Sequence, residues 1–474
     1  MFEHDQSRPM NPLYTIAEIV GATGGEARGI VAEAVTSISI DSREIASGAL
    51  FVAIKGENFD GHDFVAKAVE AGAVAALVSA DKTHRLDGLP LIVVPDALEG
   101  LRGLARFSRT RTRARIVAVT GSVGKTSVKE AIRAIFSAHG PTHASIKSFN
   151  NHWGVPLTLA RMPAETAYGV FEIGMSAAGE ITPLSQLVRP HTALITTVAP
   201  AHLEFFDSEA GIAVAKAEIL AGLEPGGRII LGADHAHIGR LLAHAKARGA
   251  DALTYGFDAG ARVRISGYRT EDGGGKASVS GDGLDIELSV STPGRHTLVN
   301  GVGALLAARE VGVPVDVALD VLATHGAPEG RGLAHRLGGG PKPLVLIDES
   351  YNANPASMGA ALDVFAQMTV PSGQRVLVLG DMRELGAAAD ALHAALAPAV
   401  LAASPDAVWL VGEHMAALGA ALPEGLVVGR ATEAAEIAPA LAGALAYGDL
   451  VMVKGSNGLR LGALVAHLRS QFGH

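Results

Sequence analysis

The sequence predicts an α/β protein of three domains: a small α/β N-terminal domain, a central parallel-sheet domain of the P-loop type with an antiparallel portion, and a C-terminal Rossmann-like domain. Three observations predict it. The chain has 474 residues, and at roughly 150 residues per domain that length accommodates about three. A short apolar run, a glycine-rich loop and an amphipathic stretch follow one another over residues 116–136. Five more short apolar runs, separated by Ala-rich stretches, fill the last part of the chain. That is βαβ repetition, the pattern of a doubly wound parallel sheet.

The first domain is assigned to residues 1–108. Its β-like runs (Ser37–Ile40, Ala49–Ile54, Ala75–Val78, Pro90–Val94) alternate with a short helical stretch around Phe64–Ala71. The basic run Arg106–Arg115 reads as a solvated linker at the boundary. The second domain is assigned to 109–335. It opens on IVAVT, residues 116–120, an apolar run of the kind buried on both faces. Val128, Ile132, Ile135 and Phe136 then recur on one helical face. Apolar runs follow at Tyr168–Ile173 and Thr192–Val198. Residues 262–292 alternate instead, with Leu284, Ile286, Leu288 and Val290 on one side and Asp-Gly and Gly-Gly turns nearby, which predicts antiparallel hairpins. The third domain, 336–474, carries PLVLID, RVLVLG, AVWLVG, GLVVG and DLVMVKG as buried strands.

Composition narrows the function. Hydrophobic residues make up 48% and charged residues 18%, a packed globular chain. The formal net charge of −9 argues against nucleic acid or an anionic membrane as the main partner. With no cysteine there is no disulfide, thiol nucleophile or Cys-ligated zinc. No leader pattern opens the chain, and no apolar run reaches the ~18 residues a spanning helix needs. The nearest, Ala394–Val411, is broken by Pro398, Pro405 and Asp406. The expected location is the cytoplasm.

The sharpest motif is VTGSVGKTS, residues 119–127, set between strand and helix. Gly121 and Gly124 let the backbone turn tightly against phosphates, and free N–H groups at the helix start face the anion. Lys125 brings positive charge to the β- and γ-phosphates, and the Thr126 hydroxyl suits Mg²⁺, a hard cation. The spacing is T-G-x-x-G-K-T, with Val119 where the common P-loop has its first glycine. The competing structural reading is a glycine turn that merely caps a helix. Glu172 and His202 each follow a strand candidate, where parallel strands converge on a ligand crevice. Together they suit a second Mg²⁺ near the γ-phosphate. Singly, each is as well read as a surface carboxylate or a structural histidine, and Lys216 as an ordinary helix lysine. Kinases, ATPases and ligases all remain open at this point.

The order of motifs resembles the Mur ligase family. TGSVGKTS matches its T-G-[ST]-x-G-K-[ST]. NNHWGVPLTL (150–159), FEIGMSAAGEI (171–181), AHLEFF (201–206), AKAEIL (215–220), GRHTLVN (294–300), EGR (329–331), DESYNANPASM (348–358), LGDMRELG (379–386) and VKGS (453–456) follow in the family's order. YNANP and LGDMRELG resemble the member that adds D-alanyl-D-alanine. DSR (41–43) and FDGHDF (59–64) resemble the uridine-diphosphate-binding part of the third- and fourth-step ligases.

The resemblance implies ATP and Mg²⁺ as cofactors, and UDP-muramoyl tripeptide and D-Ala-D-Ala as partners. No nucleic acid or membrane partner is implied, and the family habit is a monomer. It implies phosphorylation of the tripeptide's free carboxylate followed by aminolysis of the acyl phosphate. Thr120, Gly121, Ser122, Val123, Gly124, Lys125, Thr126 and Ser127 would hold the nucleotide phosphates. Asn300 would contact adenine, and Arg331 and Asp348 the nucleotide. Thr126, Glu172, His202 and Lys216, the last as a carbamate, would serve the metals, with Lys125, Glu172, His202 and Lys216 the catalytic set. Asp41, Ser42, Arg43, Asp60, Gly61 and His62 would meet the UDP substrate. So would Asn150 and Asn151, while Asn352 and Asn354 would line the cleft. The chain departs from the family at Thr197 and Thr297, where Asn is frequent, at Glu349 for Asp, and at Asn457 for Arg, with Arg460 as a nearby substitute. A third-step ligase, a folylpolyglutamate synthase and a P-loop phosphotransferase are the competing readings.

Overall fold

The computed structural model describes residues 12–146, 148–201, 203–271, 273–338, 340–370 and 372–473. Within them the chain forms three α/β domains, each around its own sheet. Runs of Val, Ile, Leu and Ala buried on both faces make the parallel strands, and amphipathic helices cover them.

In the N-terminal domain, strands Ser37–Ser39, Ala49–Val52, Ala73–Ser79 and Leu91–Val94 lie parallel in chain order, and Glu26–Arg28 adds antiparallel at the edge. Helix Val65–Glu70 stands where the sequence predicts one. Helix Ala97–Arg111 runs through residue 108 and packs on helix Gly154–Ala160. The basic run at its end is not the solvated linker expected. Arg109 is buried, and its guanidinium donates to the carbonyls of Val188 and Arg189, both at 2.8 Å. Arg111 donates to Leu13 O at 2.6 Å and Met162 O at 3.1 Å, and lies 4.0 Å from the Tyr14 ring centroid. Only Arg106, Arg113 and Arg115 of the run's arginines are exposed. Carbonyls left over at helix and strand ends need donors, and arginine supplies several from one rigid group.

The central sheet has nine strands among the described residues. Thr142–Ala144, Tyr168–Glu172, Arg115–Thr120, Thr192–Ile195, Arg228–Gly232, Asp251–Gly256 and Val263–Glu271 are parallel in that spatial order. Val263–Glu271, Gly274–Gly281 and Leu284–Val290 then form the expected antiparallel portion. Strand Arg115–Thr120 shows why its sequence is continuously apolar. Val117 and Val119 pack with Val128, Ile132, Ile135 and Phe136 on one face, while Ile116 and Ala118 join Ile212 and Ile219 on the other.

The C-terminal sheet runs Leu333–Leu337, Leu344–Glu349, Leu450–Lys454, Arg375–Gly380, Ala407–Val411, Val427–Ala431, with only the first antiparallel to its neighbour. The five predicted strands are all present. Leu333–Leu337, which residue 335 divides, was not foreseen. Val427–Ala431 is an edge strand with Val428 exposed, not the buried run its sequence suggests. The last strand, Leu450–Lys454, inserts between Leu344–Glu349 and Arg375–Gly380, so chain order and spatial order part there and a crevice opens at the strand ends.

Candidate active site

Strand Arg115–Thr120 delivers the glycine loop to the C-terminal edge of the central sheet. Gly121 and Gly124 have φ of 148° and 88°, conformations costly for any residue with a Cβ. A Cβ on Gly124 would also stand 2.6 Å from Asn300 Oδ1. Helix Lys125–Ser137 starts at Gly124 with no side-chain cap and no acidic residue in its first turn. Its opening N–H groups therefore lack intrahelical partners and favour an anion. Lys125 is half-buried and donates to Gly121 O at 2.7 Å. Burial pushes its ammonium below the usual lysine range, the Glu172 carboxylate opposes the shift, and Arg331 adds to it.

Glu172 ends strand Tyr168–Glu172 and is 1% exposed. Its carboxylate accepts from the Thr126 hydroxyl and from the Asn150 amide, each at 2.7 Å. Among the described residues it forms no ion pair. A buried carboxylate without a cation is costly, and it sits beside a second hard oxygen, so the donor set suits Mg²⁺. Lys216, in the last turn of helix Glu209–Ala217, is 2% exposed. Burial, with Lys125 nearby, pushes its ammonium well below the usual range. Among the described residues nothing accepts a hydrogen bond from its ammonium or pairs with it. His202 lies outside the described residues.

Gly124, Lys125, Thr126 and Glu172 border a cleft of about 1340 Å³ lined by all three domains. A volume above the usual span for one ligand, about 300–1,000 Å³, has room for more than one reactant. Of the residues singled out from sequence, Ser122 to Ser127, Asn150, Asn151, Glu172, Asn300, Arg331, Asn352 and Asn354 line it. Ser122 also ties the loop down, donating to Ala199 O at 2.9 Å and accepting from Ala199 N at 3.1 Å. Thr120, Gly121, Lys216 and Asp348 are not part of the lining. The Asp348 carboxylate accepts from Gly330 N at 3.0 Å and from the Ser350 hydroxyl at 2.6 Å, so it anchors the turn that carries Arg331. Arg331 lies 4.2 Å from the Tyr351 ring centroid, and the Tyr351 hydroxyl meets Ser148 Oγ of the central domain. Asn354 caps helix Pro355–Gln367 by accepting from Ser357 N at 2.9 Å. A second cavity of about 400 Å³ shares Ser127, Asn300 and Arg331 with the cleft and runs behind the phosphate-loop helix past Thr297.

The N-terminal candidates do not line the cleft; Glu57 of that domain does. Arg43 pairs with Asp41 at 2.6 Å. His62 Nε2 accepts from Ser79 N at 3.0 Å, which leaves Nδ1–H to donate to Asp60 at 2.6 Å. Burial opposes ionisation of Asp60, but hydrogen bonds from His62 and Lys82 hold its carboxyl well below the usual range. Gly61 fits only without a side chain, since a Cβ would stand 2.7 Å from Ile54 O. Sequence reasoning missed Lys454, 1% exposed yet on the cleft, paired with Glu349 at 3.0 Å. It also missed Arg295, stacked 3.7 Å over Phe257. A lysine closing a buried apolar run, DLVMVKG, was the available signal for the first.

Comparison with known proteins agrees with this geometry. Three family profiles match: Mur ligase family, catalytic domain, over residues 34–107; Mur ligase middle domain, over 119–308; and Mur ligase, glutamate ligase domain, over 335–457. The UDP-N-acetylmuramoyl-tripeptide–D-alanyl-D-alanine ligase of Escherichia coli is 38% identical over 415 residues, covering 86% of this chain and 88% of that protein. The enzyme of the same name from Bacillus subtilis is 32% identical over 439 residues, 91% of this chain and 92% of its own. A crystal structure of MurF from Acinetobacter baumannii aligns with a TM-score of 0.85 at 28% identity, over 98% of this chain and 100% of that one.

Proposed function

This chain belongs to the Mur ligase family, and we propose that it joins D-alanyl-D-alanine to UDP-N-acetylmuramoyl-tripeptide at the expense of ATP, making a peptidoglycan precursor in the cytoplasm as a monomer. The observation that carries the reading is one cleft holding an uncapped phosphate-loop helix, a buried carboxylate and residues of the third domain. ATP phosphates would lie on the N–H groups of the loop and helix start, with the Lys125 ammonium beside them. The base would enter the second cavity past Asn300, with Arg331 on the phosphate side.

A free carboxylate oxygen of the tripeptide attacks the γ-phosphorus and ADP leaves. The dipeptide amine then attacks the acyl carbon, loses a proton, and the tetrahedral intermediate expels phosphate. Thr126 and Glu172 would hold Mg²⁺, with His202 at a second ion, and the metal supplies Lewis-acid stabilisation of phosphoryl charge. Lys216 is buried, without a partner among the described residues and inclined to neutrality, the state in which an amine captures CO₂, and a carbamate there would supply an oxygen ligand for a metal. The UDP end would meet the Asp41–Arg43 and Asp60–His62 loops and Asn150–Asn151.

The test is phosphate release from ATP and Mg²⁺ with UDP-muramoyl tripeptide, with and without D-Ala-D-Ala. Release that requires both, with a pentapeptide product by mass, is expected. Release without an amine would indicate a phosphotransferase, and release only with another amino acid a sister ligase.

A further inference from the structure

We propose that the Lys454 ammonium binds the terminal carboxylate of the incoming dipeptide, an assignment that rests on the function proposed above. Among the described residues, Lys454 is the one lysine or arginine that the chain beyond residue 335 contributes to the cleft lining. It ends strand Leu450–Lys454, the strand inserted at the switch point of the C-terminal sheet, and its register partner on the neighbouring strand is Glu349. Its Nζ donates to Glu349 Oε2 at 3.0 Å and to Asn352 O at 3.1 Å. An ammonium has three donors, so one remains on a group that borders the cleft.

Other donors for a carboxylate on this wall are less available. The N-terminus of helix Pro355–Gln367 is closed by its own capping box, Asn354 with Ser357. Asn457 and Arg460 do not line the cleft. Lys125 belongs to the phosphate loop, and Arg331 lies against the Tyr351 ring. Helix Pro355–Gln367 brings Ala356, Ala360 and Ala361 to the same cleft, apolar surface that suits methyl side chains. Glu349 aims the ammonium and cancels its charge while the site is empty, so the ligand carboxylate shares a cation already desolvated.

The experiment compares D-Ala-D-Ala with its C-terminal amide as acceptor, in the wild type, in Lys454→Met and in Glu349→Gln/Lys454→Met. The double variant avoids leaving a buried carboxylate unpaired, and circular dichroism checks each fold. In the wild type the amide should be poorer by roughly 10- to 100-fold in kcat/KM, the scale of one hydrogen bond to a charged group. In the variants that ratio should fall to within about twofold, while KM for ATP stays unchanged. A wild type that accepts acid and amide alike overturns the proposal without any variant. So do variants that keep the full discrimination, or that raise KM for ATP and for the dipeptide together. A wild type that does not ligate D-Ala-D-Ala at all refutes the function itself, a separate outcome.

Discussion

Residues 119–127 place a glycine turn, a lysine, a hydroxyl and an open helix start in consecutive positions, whereas another part of the cleft wall gathers Arg331 from the end of the central domain and Glu349, Tyr351, Asn352 and Lys454 from two ends of the C-terminal one. The loop is built by local backbone geometry, in which Gly121 and Gly124 fix the turn and the helix supplies the donors. That wall is built by sheet topology: Glu349 and Lys454 meet only because the last strand pairs with Leu344–Glu349. A site of the first kind should lose chemistry when one residue is changed and keep its fold. A site of the second kind should lose positioning first.

The largest effect is expected at Lys125. Lys125→Ala should lower kcat/KM by ~10³-fold or more, the scale of removing a charge from a phosphoryl-transfer site. Thermal unfolding should stay within a few degrees, because among the described residues this side chain forms one hydrogen bond, to Gly121 O. A large fall in Tm would erase the contrast between loop and wall.

Glu172→Gln is next. It removes a buried carboxylate with no ion-pair partner among the described residues, so activity should fall by about 10²-fold while Tm of the ligand-free protein rises, the trade-off of a strained site. Mg²⁺ titration of activity would check the first and calorimetry the second. A lower Tm would show that the two hydrogen bonds to Glu172 outweigh its buried charge.

Asp348→Ala should act through position. It frees Gly330 N and Ser350 Oγ, at about 1–3 kcal/mol of stability, and lets the Arg331 turn drift. A rise in KM for ATP of roughly tenfold is expected, with kcat changed less. A fall in kcat alone would mean that Asp348 touches the reacting groups directly.

The smallest effect lies in the scaffold behind the loop. Burial pushes His143 down to about 4 from 6.5, against the hydrogen bond to Thr158 O. The folded imidazole is thus neutral where the unfolded one takes a proton. Stability is complete above pH 6.5 and falls as pH drops from 6.5 toward 4. Urea midpoints across that range would measure it, and His143→Gln should flatten the slope.

What was legible in the sequence follows the same division. The phosphate loop could be read because its chemistry is contiguous, and Val117 and Val119 against Val128 and Ile132 because burial imposes a period. Lys454 could not be given a role, since only strand order puts it beside Glu349. Arg109 read as solvated because a charged run carries no mark of the carbonyls waiting at Val188 and Arg189. Asp60 and His62 were read as ligand contacts, yet their side chains bond to each other and to Ser79.

The central claim is that one cleft activates a carboxylate and hands it to an amine. The most direct test labels both oxygens of the tripeptide's free carboxylate with ¹⁸O and follows the phosphate released in one turnover with D-Ala-D-Ala. Transfer through an acyl phosphate places one ¹⁸O in that phosphate. Unlabelled phosphate, with the label left in the tripeptide, would mean that water takes the phosphoryl group, and the account would be wrong.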